Sequence, residues 1–167
     1  MNATNTILTL ELVMAHRERI HILDLWTFTE IEDRAAEALS GLKPYLNLSG
    51  LTSLTAATTE VFSKHQGILD LSGLTMLSDE AAQVLAKMKG GLWLNGLVEL
   101  SVGVAKGLSA HAGDLYLRGL VTISEEVAEA LAEHTGFLSL AGLTEVSSAA
   151  AHALYKHKGF GLKDFRK

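Results

Sequence analysis

The sequence contains no cysteine and only one proline, Pro44. The lack of cysteine excludes disulfides, thiolate metal ligands and cysteine nucleophiles, and it is typical of proteins from reducing compartments. No apolar run approaches the roughly 20 residues of a membrane-spanning helix. Glu11 and Arg17 also interrupt the N-terminal segment before the apolar centre of a signal peptide could form. We therefore expect a cytoplasmic protein that does not bind a membrane.

Positive charge is also scarce. The chain has 14 lysine and arginine residues against 19 aspartate and glutamate residues, which gives a net charge of −5. Proteins that bind nucleic acid usually carry a basic surface, because contacts to phosphate dominate their affinity. The balance therefore argues against nucleic acid as a partner. Five of the basic residues are concentrated in 152–167, so the C-terminal end is basic and the rest of the chain is acidic.

Leucine, by contrast, occupies 30 of the 167 positions, and its distribution is periodic. From residue 22 onward the sequence divides without gaps into six blocks of 23 residues, in which positions are numbered below as places 1 to 23. The blocks span 22–44, 45–67, 68–90, 91–113, 114–136 and 137–159. Places 2 and 4 are always leucine, and places 6 and 23 are glycine in five of the six blocks. Such agreement indicates a repeat architecture.

Each block predicts a strand, a turn and a helix. Leucine alternates with variable residues over places 1–5, which is typical of a strand with one buried face. Glycine at place 6 predicts a turn with positive φ, and serine or threonine at place 11 in five blocks predicts a helix N-cap. Small and apolar residues at places 14, 15, 17 and 18 indicate a helix over places 12–21, with the glycine at place 23 as its C-cap signal. Gly103 and Gly107 lie inside the fourth helix, so the fourth block is expected to be distorted or to be the most mobile rung.

One such unit cannot bury its own apolar face, so the blocks must stack on one another. We therefore expect an α/β fold, a β/α solenoid with a parallel sheet of about six rungs on one face and short helices on the other. A single domain would consist of an N-terminal cap over 1–21, six repeats over 22–159, and a partial rung or tail over 160–167.

The sequence is compatible with two structures for the N-terminal cap. Leu8, Leu10 and Leu12 alternate with other residues, which predicts a β-hairpin whose first strand, over 6–14, closes the edge of the sheet. The alternative is a short capping helix over 11–19.

The pattern resembles the leucine-rich repeat, in a bacterial variety with tandem units such as LSLxGLTxLSxEAAxALAKHKG. The resemblance rests on the LxLxGLxxL/I-S/T run and the helix after it, and it covers about four-fifths of the chain. It implies an arc-shaped β/α solenoid used mainly for protein–protein contacts. One departure is that the usual asparagine after the last strand leucine is replaced, for example by Leu51, Leu74 and Leu97. The turn geometry and curvature of the familiar horseshoe are therefore not implied.

Histidine recurs at place 21 in four blocks, as His65, His111, His134 and His157. A column of imidazoles could hold a metal ion, and His134 with His157 is the best candidate pair because their blocks adjoin. The favoured interpretation is that these rings cap carbonyl groups at the helix ends. We expect no metal and no cofactor. The sequence also lacks GxGxxG, P-loop, HExxH and GxSxG motifs, and we expect no enzyme activity.

Places 1, 3 and 5 should point away from the leucine core, and they vary while the frame stays constant. Both tryptophans and two of the three tyrosines fall at these places, and Trp, Tyr and Arg dominate the energetics of interfaces. The predicted partner-binding residues are Asp24, Trp26, Tyr45, Asn47, Asp70, Trp93, Asn95, Tyr116, Arg118 and Phe137. The alternative is that these side chains pack against loops or a neighbouring copy, since aromatic residues also favour strands.

The sequence thus predicts a non-enzymatic scaffold that binds a protein or peptide along the exposed strand face. Trp93, Tyr116 and Arg118 would be the anchors, and Asp24 and Asp70 would select basic groups. The alternative is an assembly module, or part of a larger repeat protein, whose copies associate through the solenoid ends. A third class, a binder of sugars or small ligands, would need a pocket that a flat sheet rarely offers.

Overall fold

The computed structural model describes residues 6–18, 24–41 and 45–156. Short strands alternate with α-helices of six to eight residues. In chain order the elements are β1 (Ile7–Leu8), α1 (Leu10–Ala15), β2 (Glu30–Ile31), α2 (Asp33–Ser40), β3 (Tyr45–Asn47), α3 (Ala56–Phe62), β4 (Ile68–Asp70), α4 (Asp79–Leu85), β5 (Leu92–Trp93), α5 (Val102–Ser109), β6 (Leu115–Tyr116), α6 (Glu125–Ala132), β7 (Leu138–Ser139) and α7 (Ser148–Leu154). A 3₁₀ turn at Leu25–Thr27 precedes β2.

Strands β3 to β7 form a five-stranded parallel sheet in chain order, and β1 and β2 form a separate two-stranded parallel sheet. Neither sheet closes on itself. Each pairing joins residues 23 positions apart, as Leu69 pairs with Leu92, Leu92 with Leu115, and Ile7 with Glu30. The spacing between paired residues therefore equals the 23-residue repeat length of the sequence. The α/β class that the sequence predicts is confirmed over the described ranges.

The core lies between the five-stranded sheet and the helices. Places 2 and 4 of blocks 2 to 6 are at most 2% exposed, as predicted: Leu46, Leu48, Leu69, Leu71, Leu92, Leu94, Leu115, Leu117, Leu138 and Leu140. Place 18 of the six helices α2 to α7 is fully buried in the same cluster: Leu39, Phe62, Leu85, Leu108, Leu131 and Leu154. Burial of one such side chain contributes roughly 1.5–3 kcal/mol, so this layer is the main stabilising contribution.

The predicted serine and threonine N-caps are confirmed in α3 to α7. Ser101 Oγ, for example, accepts a hydrogen bond from the backbone N–H of Val104 at 3.0 Å. Helix α2 has Glu32 at this position, without a side-chain cap bond. The Glu32 carboxylate instead accepts from the backbone N–H of Leu10 at 2.8 Å, and so satisfies a free donor at the start of α1.

The helices and strands are shorter than predicted. Helices α2 to α7 end at place 18 or 19. Beyond them the chain makes hydrogen bonds between residues three apart, such as His65 N–H to the Phe62 carbonyl at 3.0 Å. The strands of the larger sheet cover at most places 1–3. Places 5 and 6 form a turn closed by a bond from place 7 to place 4, as from Leu51 N–H to the Leu48 carbonyl at 3.0 Å. Place 5 therefore lies beside the sheet, in a turn.

Glycine at place 6 serves packing between blocks. None of these glycines has a φ in the left-handed region, so the predicted positive φ is wrong. A Cβ added at Gly96 would collide with the carbonyl oxygen of Ser72, one block earlier, and lie 2.6 Å from that of Leu74. The same kind of collision occurs at Gly50, Gly73, Gly119 and Gly142. A residue without a side chain is needed because the turns of successive blocks approach so closely.

A second glycine column, at place 23, makes the same kind of contact. A Cβ added at Gly90 would collide with the Gly67 carbonyl, and one at Gly113 would collide with the Gly90 carbonyl. The predicted C-cap role of these glycines is wrong, because the helix C-caps lie at place 19 or 20 in right-handed conformation, as at Ser63. The two glycine columns flank every strand of the larger sheet from β4 onward.

The N-terminal cap is not the predicted β-hairpin. Strand β1 pairs in parallel with β2, and helix α1 occupies Leu10–Ala15, so no strand covers 6–14. The alternative, a helix over 11–19, lies closer to the structure, although α1 begins one residue earlier. The predicted C-terminal partial rung at 160–167 lies outside the described residues.

The N-terminal segment instead follows the second half of a block. Ile7 and Leu8 pair with residues 23 positions later, and the Thr9 side chain accepts from Leu12 N–H at 3.3 Å, as the place-11 caps do. Leu8 and Thr9 stand where an aliphatic residue and a serine or threonine would stand at places 10 and 11. The match of Leu8 and Thr9 to places 10 and 11 could thus have been found in the sequence, but the alternation of Leu8, Leu10 and Leu12 suggested a strand instead.

The helix of the fourth block is regular, so the prediction of a distorted helix is wrong. Helix α5 covers Val102–Ser109, as long as any other helix of the described chain. Its glycines allow close packing on α4, because a Cβ at Gly107 would lie 2.9 Å from Ala82 Cβ. A Cβ at Gly103 would collide with the Asp79 carboxylate.

The glycine columns generate a stability prediction. Gly96→Ala should destabilise the fold by about 1–3 kcal/mol, the usual cost of overpacking, because its Cβ has no space beside the Ser72 carbonyl. Gly41→Ala is the matched control, because nothing lies within 4 Å of its Cβ position and its φ of −81° suits alanine. Urea unfolding should show no loss for Gly41→Ala. Equal losses in the two variants would contradict the packing role.

Candidate interaction surface on the sheet

Four aromatic side chains form one continuous row on the sheet face opposite the leucine core. This aromatic row consists of Tyr45, Trp93, Tyr116 and Phe137. Ring centroids are 5.7 Å apart between Tyr45 and Trp93, 5.3 Å between Trp93 and Tyr116, and 5.5 Å between Tyr116 and Phe137. The interplanar angles of 51–56° are those of tilted contacts, which aromatic quadrupoles favour over face-to-face stacking.

The sheet register places these rings side by side. Trp93 and Tyr116 are register partners in β5 and β6 and both occupy place 3. Tyr45 stands at place 1 of β3 and reaches across β4 to contact Trp93. Tyr45 and Phe137, at the two ends of the row, are 46% and 42% exposed. Four sequence-predicted site residues are thus brought into mutual contact on the outer face.

Asp70 lies at place 3 of β4, the strand that Tyr45 spans to reach Trp93. Its side chain is only 7% exposed. One carboxylate oxygen accepts from the Tyr45 hydroxyl at 3.2 Å, and the other accepts from Ser72 N–H at 2.9 Å. Asp70 therefore does not offer its carboxylate directly to solvent, which sequence reasoning had not shown.

The same contact changes the acidity of Tyr45. Burial and the charge and hydrogen bond of Asp70 together raise the pKa of the Tyr45 hydroxyl above its ordinary value of 10.0. The neutral hydroxyl is therefore the form that suits the folded protein, because it donates to the carboxylate.

Arg118 lies over the Tyr116 ring, in the half of the aromatic row away from Tyr45. Its guanidinium carbon lies 5.0 Å from the Tyr116 ring centroid, within range of a cation–π interaction. Its Nε–H donates to Ser139 Oγ at 3.2 Å. Arg118 is exposed but held by these two contacts, so it forms part of the surface with the aromatic row.

The predicted amide residues support the turns beside the sheet. Asn47 Oδ1 accepts from Ser49 N–H at 3.1 Å. Asn95 donates from its side-chain amide to Ser72 Oγ at 3.1 Å, and its Oδ1 accepts from Arg118 N–H at 3.1 Å. The Asn95 bonds link the place-5 turns of three successive blocks, so this amide fixes the frame from which Arg118 projects.

Trp26 and Asp24 lie apart from the aromatic row. Trp26 is 53% exposed in the 3₁₀ turn before β2, and the ring contacts of the described residues do not include it. Asp24 is exposed at the start of the same turn and makes no side-chain cap bond there. Ile22, at place 1 of the same block, lies outside the described residues.

A second exposed apolar set was missed by sequence reasoning. Met76 is 83% exposed, Val98 54% and Val121 49%, at place 8 or 9 of three successive blocks. They lie between the place-6 turn and the helix, on the edge of the blocks rather than on the sheet face. The sequence does show that place 8 or 9 is apolar in blocks 3 to 5 and that both are polar in the other blocks.

The histidine column is buried at the helix ends. His65, His111 and His134 are at most 3% exposed. His65 Nδ1 lies 3.2 Å from the Ser40 carbonyl, in the last turn of the preceding helix, which agrees with the predicted capping role for this residue. Neither ring nitrogen of His111 makes such a bond within the described residues. The rings of His111 and His134 stack with centroids 6.1 Å apart and an interplanar angle of 13°.

Burial favours the neutral form of His111 and His134. It lowers the pKa of both His111 and His134 below the ordinary value of 6.5, while nearby backbone groups, such as that of Ala86 for His111, partly oppose the effect. Within the described ranges, no three His, Asp or Glu side chains come close enough to hold a metal ion. His157, the other metal candidate beside His134, lies outside those ranges.

Comparisons with protein-family models, with curated proteins and with solved structures give no match for this chain. The resemblance to leucine-rich repeats therefore stays a prediction. No helix in the described part of the chain has both the length and the apolar character needed to cross a membrane.

The Tyr45–Asp70 contact generates a prediction. Tyr45→Phe should cost about 1–2 kcal/mol of unfolding free energy, because the buried Asp70 carboxylate loses a donor. The contribution of the hydroxyl is present below pH 10 and is lost as the pH rises through the raised pKa of Tyr45. Wild type should therefore lose more stability than Tyr45→Phe between pH 8 and about pH 11. Urea titrations measure both effects.

Tyr155→Phe is the control for this experiment. It removes the hydroxyl of another exposed tyrosine, 58% exposed against 46% for Tyr45, at the end of α7. A loss as large as that of Tyr45→Phe would show that the Asp70 contact contributes nothing.

The histidine column generates a prediction at acidic pH. In the unfolded chain His111 and His134 become protonated near pH 6.5, whereas in the folded protein burial keeps them neutral to lower pH. Folding stability should therefore fall as the pH drops below about 6.5. His111→Met should reduce this fall, because Met88 shows that methionine fits place 21, where it is 1% exposed. The measurement is urea unfolding at about pH 7.5 and 5.5.

His152→Gln, at an exposed position of α7, is the matched control. It removes an imidazole that is exposed rather than buried, so the fall in stability at acidic pH should be larger in this variant than in His111→Met. An identical pH dependence in wild type and His111→Met would rule out the proposed effect of burial.

Proposed function

We propose that the chain is a β/α solenoid similar to leucine-rich repeats and that it serves as a non-enzymatic cytoplasmic scaffold. In this proposal six blocks stack as rungs, and a protein or peptide binds along the sheet face. The observation that carries the functional proposal is the continuous aromatic row of Tyr45, Trp93, Tyr116 and Phe137, with Arg118 beside it.

The constant register supports the solenoid. Strand pairs from β1–β2 to β6–β7 all join residues 23 positions apart, and both glycine columns repeat the same contact between neighbouring blocks. A stack with one repeated contact is the architecture of repeat proteins, whose units meet only their neighbours.

The composition of the surface supports a binding role. Trp, Tyr and Arg are the residue types that most often carry the energy of an interface. Here they are neither in the core nor required by the repeat, since glycine, serine and asparagine occupy the equivalent places in other blocks. Short parallel strands hold Trp93 and Tyr116 side by side, and the Tyr116 ring and Ser139 hold Arg118, so little conformational entropy is lost when a partner binds.

The proposal predicts where partner affinity resides. Trp93→Ala or Tyr116→Ala should weaken binding of the native partner by at least about 2 kcal/mol, because the centre of an interface contributes most. Folding stability should change much less than for a core leucine. The measurement is titration calorimetry with a partner first identified by affinity purification.

Glu80→Ala and Glu126→Ala are the matched controls on the exposed helix face, in α4 and α6. They should leave affinity nearly unchanged. The surface has been placed on the wrong side if these variants abolish binding while Trp93→Ala and Tyr116→Ala retain it.

A further inference from the structure

The sheet face that carries the aromatic row is acidic. The strands and turns beside the row hold two acidic residues and one basic residue: Asp70, Asp114 and Arg118. Asp114 is exposed, and Arg118 is already held by the Tyr116 ring and Ser139 Oγ. The charge of this face is therefore complementary to a basic partner.

The Asp70 carboxylate has no cationic partner within the described chain. Its two oxygens are satisfied by a phenol, that of Tyr45, and by the backbone N–H of Ser72. Both donors are neutral, so they satisfy hydrogen bonding without cancelling the charge. A carboxylate that is 7% exposed is costly unless its charge is compensated, and an external cation would provide that compensation.

The rings beside Asp70 are suited to receive such a cation. The faces of Trp and Tyr rings are electron-rich and attract lysine and arginine. The hydrogen bond from the Tyr45 hydroxyl to a carboxylate increases the electron density of that ring. The Arg118 guanidinium over Tyr116 shows that the row already makes one contact of this type, at its other half. The Tyr45–Trp93 half carries no equivalent cation among the described residues.

We propose that the Tyr45–Trp93 half of the aromatic row binds the ammonium or guanidinium group of a lysine or arginine, so that the partner is a basic peptide segment. The cation would rest against the two rings within the field of Asp70. This inference rests on the proposed function, because it names the chemistry of the partner on that same surface.

The test uses blocked synthetic heptapeptides that differ only at two positions, which hold lysine, arginine, norleucine or glutamate. The side-chain N–H signals of Trp26 and Trp93 in a nitrogen-labelled sample are the readout, and Trp26→Phe assigns them. Lysine and arginine peptides at millimolar concentration should shift the Trp93 signal and leave Trp26 unmoved. Norleucine has the same length without the charge, and neither it nor glutamate should bind.

Two charge variants then locate the acceptor. Asp70→Asn keeps the shape and the oxygen that accepts from Ser72 N–H but removes the charge, and it should weaken lysine-peptide binding about threefold to tenfold. Glu126→Gln removes one charge from the exposed helix face and should leave the dissociation constant unchanged. Unchanged melting curves of Asp70→Asn would show that the fold is retained. If the variant does not fold, Tyr45→Ile removes one of the two rings, keeps Trp93 as the readout and should weaken lysine-peptide binding instead; Ile68 occupies the equivalent place in the next block.

The outcomes separate this inference from the proposed function. Equal binding of lysine and norleucine peptides, equal weakening by Asp70→Asn and Glu126→Gln, or no Trp93 shift with any basic peptide would overturn the cation site. A Trp93 shift with norleucine alone would overturn the cation site but support the sheet face as a binding surface. Shifts of the backbone N–H signals of the same labelled sample that are confined to the helix face would count against both.

Discussion

The structure depends on how closely one block can approach the next. At places 6 and 23 a glycine lies against a carbonyl group of the preceding block, where any side chain would collide. Gly90 and Gly96, which flank β5, show how these two contacts lie on either side of a strand. They bring neighbouring backbones to the spacing at which parallel strands form hydrogen bonds, about 4.8 Å. The leucine core forms behind this contact, since the same spacing superimposes places 2, 4 and 18 of successive blocks.

The same spacing shapes the outer face. Side chains at one place of neighbouring blocks lie about one strand apart, which is within contact distance for aromatic rings. Trp93 and Tyr116 contact each other for this reason alone. The neighbouring place 3 holds Asp70, a short side chain, and the larger Tyr45 ring closes over β4 to contact Trp93. Local differences in side-chain size thus turn a regular array into one row with a buried charge beside it.

The sequence was most informative where a residue acts within its own block. Buried leucines, strand order, and the serine and threonine caps follow from a period of two, a period of 23 and local cap chemistry. It was least informative where a residue acts on a neighbouring block. Glycine at places 6 and 23 is compatible with both a positive φ and a close contact, and only the folded structure distinguishes them. The burial of Asp70 and the Tyr45–Trp93 contact also depend on rings from different blocks.

The paired glycine columns also govern how a gene encoding such a chain can change in length. Duplication or loss of 23 codons, or a multiple of them, keeps every glycine opposite a carbonyl and every leucine in the core. It also lengthens or shortens the outer face by one strand width. An insertion of any other size inside a strand or its turn would place a side chain against the carbonyl at Ser72 or its equivalents. Unequal recombination between blocks is therefore a tolerated route of variation, and single-codon insertion at these turns is not.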